Sequence, residues 1–313
     1  MAERVRVLAI DGGGIRGIIP ALVLADVERR TGRSTAELFD LVAGTSTGAI
    51  LACALTLPEA DGRTARWRAE QLVDIYECEG RHIFSRSLLW RIRSLDGLIA
   101  PKYRATGLES ALERYLGDGT LADALSDLLI TAYDTEGRNP VFFRPQTDGQ
   151  LAMRAVAHAS SAAPTYFAPV ELSRPGDGHL SLIDGGVFAA NPTMVAVAQV
   201  LHDRPGAELV MVSLGTGSLT RSLPFDRVRH WGLLQWARPL VDVVFDGVSV
   251  ATDDEAGEIV GRRYWRLQTV LTTANDDLDD ASRRNLEALR HQGEALVRER
   301  AGDIDAACAA LTA

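Results

Sequence analysis

Three short stretches of this chain set polar residues where acyl-transfer chemistry needs them. Gly44-Thr45-Ser46-Thr47-Gly48 fits Gly-x-Ser-x-Gly, in which small flanking residues let a strand turn sharply into a helix and expose the serine hydroxyl. The same residues also fit a plain Ser/Thr cap on a helix starting at Thr47. Upstream, Asp11-Gly12-Gly13-Gly14-Ile15-Arg16-Gly17 satisfies the dinucleotide pattern Gly-x-Gly-x-x-Gly. That pattern wants an acidic residue near the C-terminal end of the second strand, whereas Asp40 stands at its start, and Asp11 would repel a pyrophosphate. Consecutive glycines serve an oxyanion equally well, because their N–H groups are unhindered. The third stretch, Leu182-Ile183-Asp184-Gly185-Gly186-Val187, offers a carboxylate to act as base toward a serine, or an ordinary Asp-Gly turn. A free aspartate near pKa ~4 is a weak base, so burial or a close hydrogen bond has to adjust it. The six histidines, His82, His158, His179, His202, His230 and His291, lie in no comparable turn.

Such residues need strand ends to hold them. Val5 to Ile10 reads as a buried strand closed by the glycine turn, with a helix from Ile18 to Arg30 behind it. A second strand, Asp40 to Thr45, runs into a helix from Thr47 to Pro58. Helices follow near Thr64 to Glu79, Gly107 to Leu116, Leu151 to Ser160 and Pro192 to Leu201. Strands are expected near Leu128 to Tyr133, Val141 to Arg144, Leu180 to Ile183 and Glu208 to Leu214. A helix over Trp236 to Phe245 and another over Ser282 to Arg300, with Leu286, Leu289, Gly293 and Leu296 on one stripe, complete the pattern. The alternation predicts an α/β three-layer sandwich, a mostly parallel central sheet flanked by helices. With no repeat and no Pro/Ser-rich linker, residues 1–313 are expected to form a single domain with a helical C-terminal part about 282–312.

Composition narrows the partners. At 46% hydrophobic and 24% charged residues the chain is of ordinary globular type, and its net charge of −9 argues against nucleic acid and anionic surfaces. Cys53, Cys78 and Cys308 have neither disulfide nor metal-ligand spacing, which favours a reducing, cytoplasmic setting and no zinc. No stretch reaches the roughly 18 uninterrupted apolar residues of a membrane span, so membrane contact is expected to be peripheral.

Taken in order, the blocks resemble those of bacterial patatin-like phospholipases over most of the chain. VLAIDGGGIRGIIP resembles the family's oxyanion block, GTSTGAILA its nucleophile block, ASSAAPTYFAP a segment packed near the site, and DGGVFAANPT the block with the catalytic aspartate. Leu72 to Tyr76, Ser213 to Gly217 and Trp236 to Gly247 are also similar to family segments. The resemblance implies a patatin-like fold and a Ser46–Asp184 dyad, with the Gly13 and Gly14 amides and Arg16 nearby as the oxyanion site, which the run of glycines extends to the Gly12 to Gly14 amides. It implies hydrolysis of phospholipid or lysophospholipid esters without metal or organic cofactor. Ala190 departs from the asparagine common there, with no expected effect on the dyad.

Two rivals remain at this level. An α/β-hydrolase triad would combine Ser46 and Asp184 with His202, His230 or His291, although that fold sets several strands before its serine and only one fits here. A nucleotide-binding module would use the glycine turn as a phosphate cradle, but the Gly-Lys-Ser/Thr ending is missing. The stretches Phe84 to Tyr103 and Trp231 to Phe245 are candidates for the walls of an acyl slot. Trp231, Leu233, Leu234 and Trp236, between Arg229 and Arg238, and Trp90, Leu95 and Ile99, beside Arg91 and Arg93, are expected to rest shallowly on lipid headgroups.

Overall fold

The computed structural model describes residues 3–85, 100–174, 178–218, 220, 222–236 and 239–313. In chain order the elements used below are β1 (Arg4–Ile10), α1 (Ile18–Thr31), β2 (Leu41–Gly44), α2 (Thr47–Thr56), α3 (Ala69–Asp74) and α4 (Thr106–Leu116). Next come β3 (Asp127–Asp134), β4 (Asn139–Phe143), α5 (Met153–Ser160), β5 (Val170–Arg174), β6 (Gly178–Asp184) and α6 (Thr193–Asp203). The last are β7 (Glu208–Leu214), α7 (Pro239–Val260), β8 (Tyr264–Leu267), α8 (Arg283–Glu299) and α9 (Ala301–Thr312).

One mixed sheet of eight strands runs β5-β6-β3-β2-β1-β7-β8, with β4 on β3. The pairs from β3 through β2, β1 and β7 to β8 are parallel, and the pairs of β3 with β4, β3 with β6 and β5 with β6 are antiparallel. Alternate residues of β1 serve the two faces. Leu8 and Ile10 join the larger core with α1, α2 and α8, while Val5, Val7 and Ala9 pack against Ala196, Val197 and Val200 of α6. This is the three-layer arrangement the alternation predicted. The stripe on α8 is buried as expected, and a side chain at Gly293 would press on Leu22 of α1.

The arrangement at β3 positions the site. β2 pairs with its first half, up to Gly44 opposite Ile130, while β6 pairs with its second half, ending at Asp184 opposite Ala132. β4 pairs with Ile130 to Asp134 as well, and a strand has only two edges. β2 and β6 therefore share one edge of β3 and run toward each other, their C-terminal ends two residues apart, roughly 7 Å along the strand.

Several boundaries differ from expectation. α3 starts at Ala69, not Thr64, because the buried Glu28 carboxylate accepts the Ala69 N–H at 2.9 Å and the Thr35 N–H at 2.8 Å, fixing the helix start. A π-turn over Ile75–Glu79 follows it. β5 and β8 were not anticipated, and α7 runs on to Val260 instead of stopping at Phe245.

Candidate active site

Ser46 sits at φ 56°, ψ −122° between β2 and α2, and its side chain caps nothing. That removes the capping reading and fits a strained elbow. Side chains at the flanking glycines would overlap backbone, Gly44 with Gly48 and Gly48 with Ile10, so both positions admit glycine alone without rearrangement. The Ser46 N–H donates to Ser160 Oγ at 2.9 Å, while Thr45 Oγ1 bonds Thr131 Oγ1 at 2.7 Å and the Ala189 carbonyl at 2.7 Å. Thr131 occupies the gap between the facing ends of β2 and β6, where it also leaves no room for a side chain at Gly185.

Asp184 is 2% exposed. Burial pushes its carboxyl up to about 6, against the opposing effect of hydrogen bonds from the Ser46 side chain and the Gly186 amide. The Gly186 N–H lies 2.7 Å from Oδ1. Such a group is ionised at neutral pH yet is a far better proton acceptor than a solvated aspartate.

The glycine turn lies on the other side of Ser46, at the end of β1. Its two central peptides are held by their carbonyls: Gly12 O accepts from Thr216 Oγ1 at 2.8 Å, and Gly13 O accepts from Arg16 N at 3.2 Å and Arg16 Nε at 3.3 Å. In a trans peptide the next N–H points opposite to the carbonyl, so the Gly13 and Gly14 amides face away from these clamps. Neither has a hydrogen-bond partner among the described residues. Gly12 differs from expectation, because its amide donates to the Ala190 carbonyl at 2.9 Å and is not available to a ligand. That contact is made by backbone, which is why alanine serves at 190. Arg16, 8% exposed, orients the turn. Asp11, just before it, is buried against Arg266 of β8 at 2.5 and 2.9 Å, an ion pair that opposes the upward push of burial on its carboxyl.

Ser46, Asp184 and the three glycines line one pocket of about 760 Å³, open mouth included. Its walls are apolar, among them Ile50, Ile75, Ile83, Leu108, Phe167 and Phe245. Tyr76, turned in from the π-turn, bonds Thr47 Oγ1 at 2.7 Å, and Gly17 is bare where those two side chains meet. Of the stretches expected to wall the slot, Phe84 and Phe245 do so, and Tyr103 packs behind Phe84 at 5.5 Å between ring centroids. No histidine is among the lining residues; His202, His230 and His291 are exposed elsewhere, so the triad is not assembled. Sequence reasoning assigned no role to Thr216, Ser160, Tyr76 or Arg266, although the first three lie in the family-like segments Ser213 to Gly217, ASSAAPTYFAP and Leu72 to Tyr76.

A patatin-like phospholipase family model matches residues 8–197, which span the glycine turn, the elbow and Asp184. The chain belongs to the patatin-like phospholipase family. It is 30% identical to patatin-2-Kuras 4 of Solanum tuberosum over 96% of this chain and 88% of that protein. It is 28% identical to probable inactive patatin-3-Kuras 1 of Solanum tuberosum, over 96% and 88%. Human GIVD cytosolic phospholipase A2 shares the fold, with a TM-score of 0.55 at 13% identity, over 98% of this chain and 60% of that one. As a patatin-like phospholipase the chain is a lipid acyl hydrolase. No helix among the described residues is long and apolar enough to cross a membrane.

Proposed function

We propose that Ser46 and Asp184 form the catalytic dyad of this patatin-like phospholipase, acting on phospholipid or lysophospholipid esters. Ser46 Oγ attacks the ester carbonyl and its proton passes to Asp184. The negative charge that develops on the carbonyl oxygen is met by the Gly13 and Gly14 amides, preorganised because their carbonyl sides are already clamped. Asp184 then returns the proton to the departing alcohol and later takes one from the water that releases the fatty acid. The observation that carries this reading is the meeting of β2 and β6 on one edge of β3, which presents a strained serine and a buried, hydrogen-bonded carboxylate to an apolar pocket. Because a comparably similar relative bears the words probable inactive, membership of the family does not replace this geometry.

The lipid reaches the pocket from a surface. Phe225 and Leu233 are 74% and 92% exposed, Leu240, Val243 and Val244, at i, i+3 and i+4, are exposed on one face of α7, and the next residue, Phe245, lines the pocket. Such a face suits shallow insertion among headgroups. Trp231 and Trp236 are half-buried and pack edge to face with centroids 5.3 Å apart, with Arg227 over Trp231, so Phe225 and Leu233 replace them as the leading contacts. Trp90, Leu95, Ile99, Arg91, Arg93 and Arg238, with the Leu234 side chain, lie outside the described residues. Free cysteines, one of them exposed, suit a cytoplasmic protein that meets its substrate peripherally.

The decisive test is Ser46→Ala with a short-chain ester and a fluorophosphonate probe. Turnover should fall by about 10³-fold or more and labelling should vanish. Labelling at another serine, or retention of most activity, would overturn the assignment.

A further inference from the structure

The C-terminal end of α5 and the turn after it touch both members of the dyad. Ser160 Oγ accepts the Ser46 N–H at 2.9 Å, and the Ala162 carbonyl accepts the Asp184 N–H at 3.0 Å. Ser161 stands between these two anchor points, lines the same pocket, and is 7% exposed, yet its Oγ has no hydrogen-bond partner among the described residues. A buried hydroxyl left unpaired is destabilising, so one kept in a reaction pocket walled mostly by apolar side chains calls for a partner that arrives with the substrate.

Sheet order says which part of the substrate that is. β2, which carries Ser46, lies between β1, whose end bears the oxyanion amides, and β3, whose edge β6 shares. The tetrahedral centre formed on Ser46 has its oxyanion toward β1, and its leaving oxygen must turn toward Asp184 to collect the proton. Ser161 is on that second side. We infer that the Ser161 hydroxyl is a further catalytic group, donating a hydrogen bond to the leaving-group oxygen of the ester. As the bond from carbon to that oxygen breaks, its electron pair stays on the oxygen, the proton held by Asp184 transfers there, and Ser161 keeps its own proton while stabilising the developing charge. The inference rests on the dyad proposed above.

Leaving-group dependence tests it. An alkoxide leaving group, as in a glycerol ester, needs this help, whereas p-nitrophenolate departs without it. Ser161→Ala should lower kcat on lipid and alkyl esters about tenfold or more, and change p-nitrophenyl ester turnover less than about threefold. Fluorophosphonate labelling at Ser46 should persist. The substitution removes an unpaired buried hydroxyl, so the melting temperature should hold or rise. Equal loss on both esters, or no loss on either, would overturn the role of Ser161 while leaving the dyad standing. Loss of labelling at Ser46 in the wild type would instead sink the dyad.

Discussion

The end of the sheet and the arm from Phe225 to Val260 are built on opposite terms. At the sheet end Ser46 is held at positive φ, and Thr131, Ser160, Thr216 and Arg16 fix the peptides and side chains around it. On the arm, Ala256 and Thr252 are buried, but Phe225, Leu233, Leu240, Val243, Val244, Val250 and Ile259 face outward. Precision is concentrated where bonds are made and broken, and apolar surface where a lipid has to be met. If that division holds, substitutions in the two regions should fail in different assays.

The largest contrast is expected from Asp184→Asn. Turnover on every ester should drop by about 10³-fold, with the double variant at Ser46 and Asp184 little worse than either, because a dyad acts as one unit. The same change should stabilise the fold. A buried acid whose pKa rises on folding holds its proton more tightly in the native state, so its contribution to stability falls as pH rises from about 4 to about 6. Keeping it ionised at neutral pH costs about 3 kcal/mol, and asparagine removes that cost, raising the melting temperature by a few degrees. The wild type should gain activity through an apparent pKa of about 6 as the base deprotonates. A melting temperature lowered by the substitution, or a rate independent of pH between 5 and 7, would break the comparison.

A smaller effect, about 10²-fold in kcat with little change in KM, is expected from Gly13→Ala. Its φ of 169° is open to any residue, but the new methyl would overlap Thr216, the clamp on the Gly12 carbonyl. Kinetics on a soluble ester check it, and parallel losses in kcat and KM would mean general disruption instead.

The smallest belongs to the arm. Phe225→Ser together with Leu233→Ser should reduce hydrolysis of vesicle lipid roughly tenfold while leaving soluble ester turnover and the melting temperature unchanged, since both side chains are exposed. Equal loss on vesicle and soluble substrate would place the pair in the reaction pocket's support and dissolve the division.

What could be read in advance follows the same line. Ser46 and Asp184 were legible because a strained turn and a close backbone approach demand glycines beside them, and glycines leave a pattern in sequence. Ser160 and Tyr76 fell within family-like blocks but their contacts did not show, and Arg266 left no pattern, since one polar residue in an apolar window looks the same whether it braces a site or a core. Gly12 was over-read: three adjacent glycines do not say which amide the fold itself consumes. β8 is four residues long with an arginine whose side chain is only 10% exposed in it, which breaks any alternation, and β5 is only half-buried. α7 was cut short because Asp246-Gly247 reads as a stop, and beyond it an exposed helix has no apolar stripe to follow.

The shared edge of β3 also governs when the protein becomes an enzyme during its own synthesis. Ser46 leaves the ribosome early, yet Asp184, its base in the proposed dyad, arrives on β6, a strand that cannot pair until β3 and the whole intervening chain have been made. Contacts of such long sequence separation close late in folding. On the proposed dyad, a nascent chain that has completed β1 and β2 carries the nucleophile without its proton acceptor, and the final register of β6 on β3 is the event that would bring hydrolysis into being.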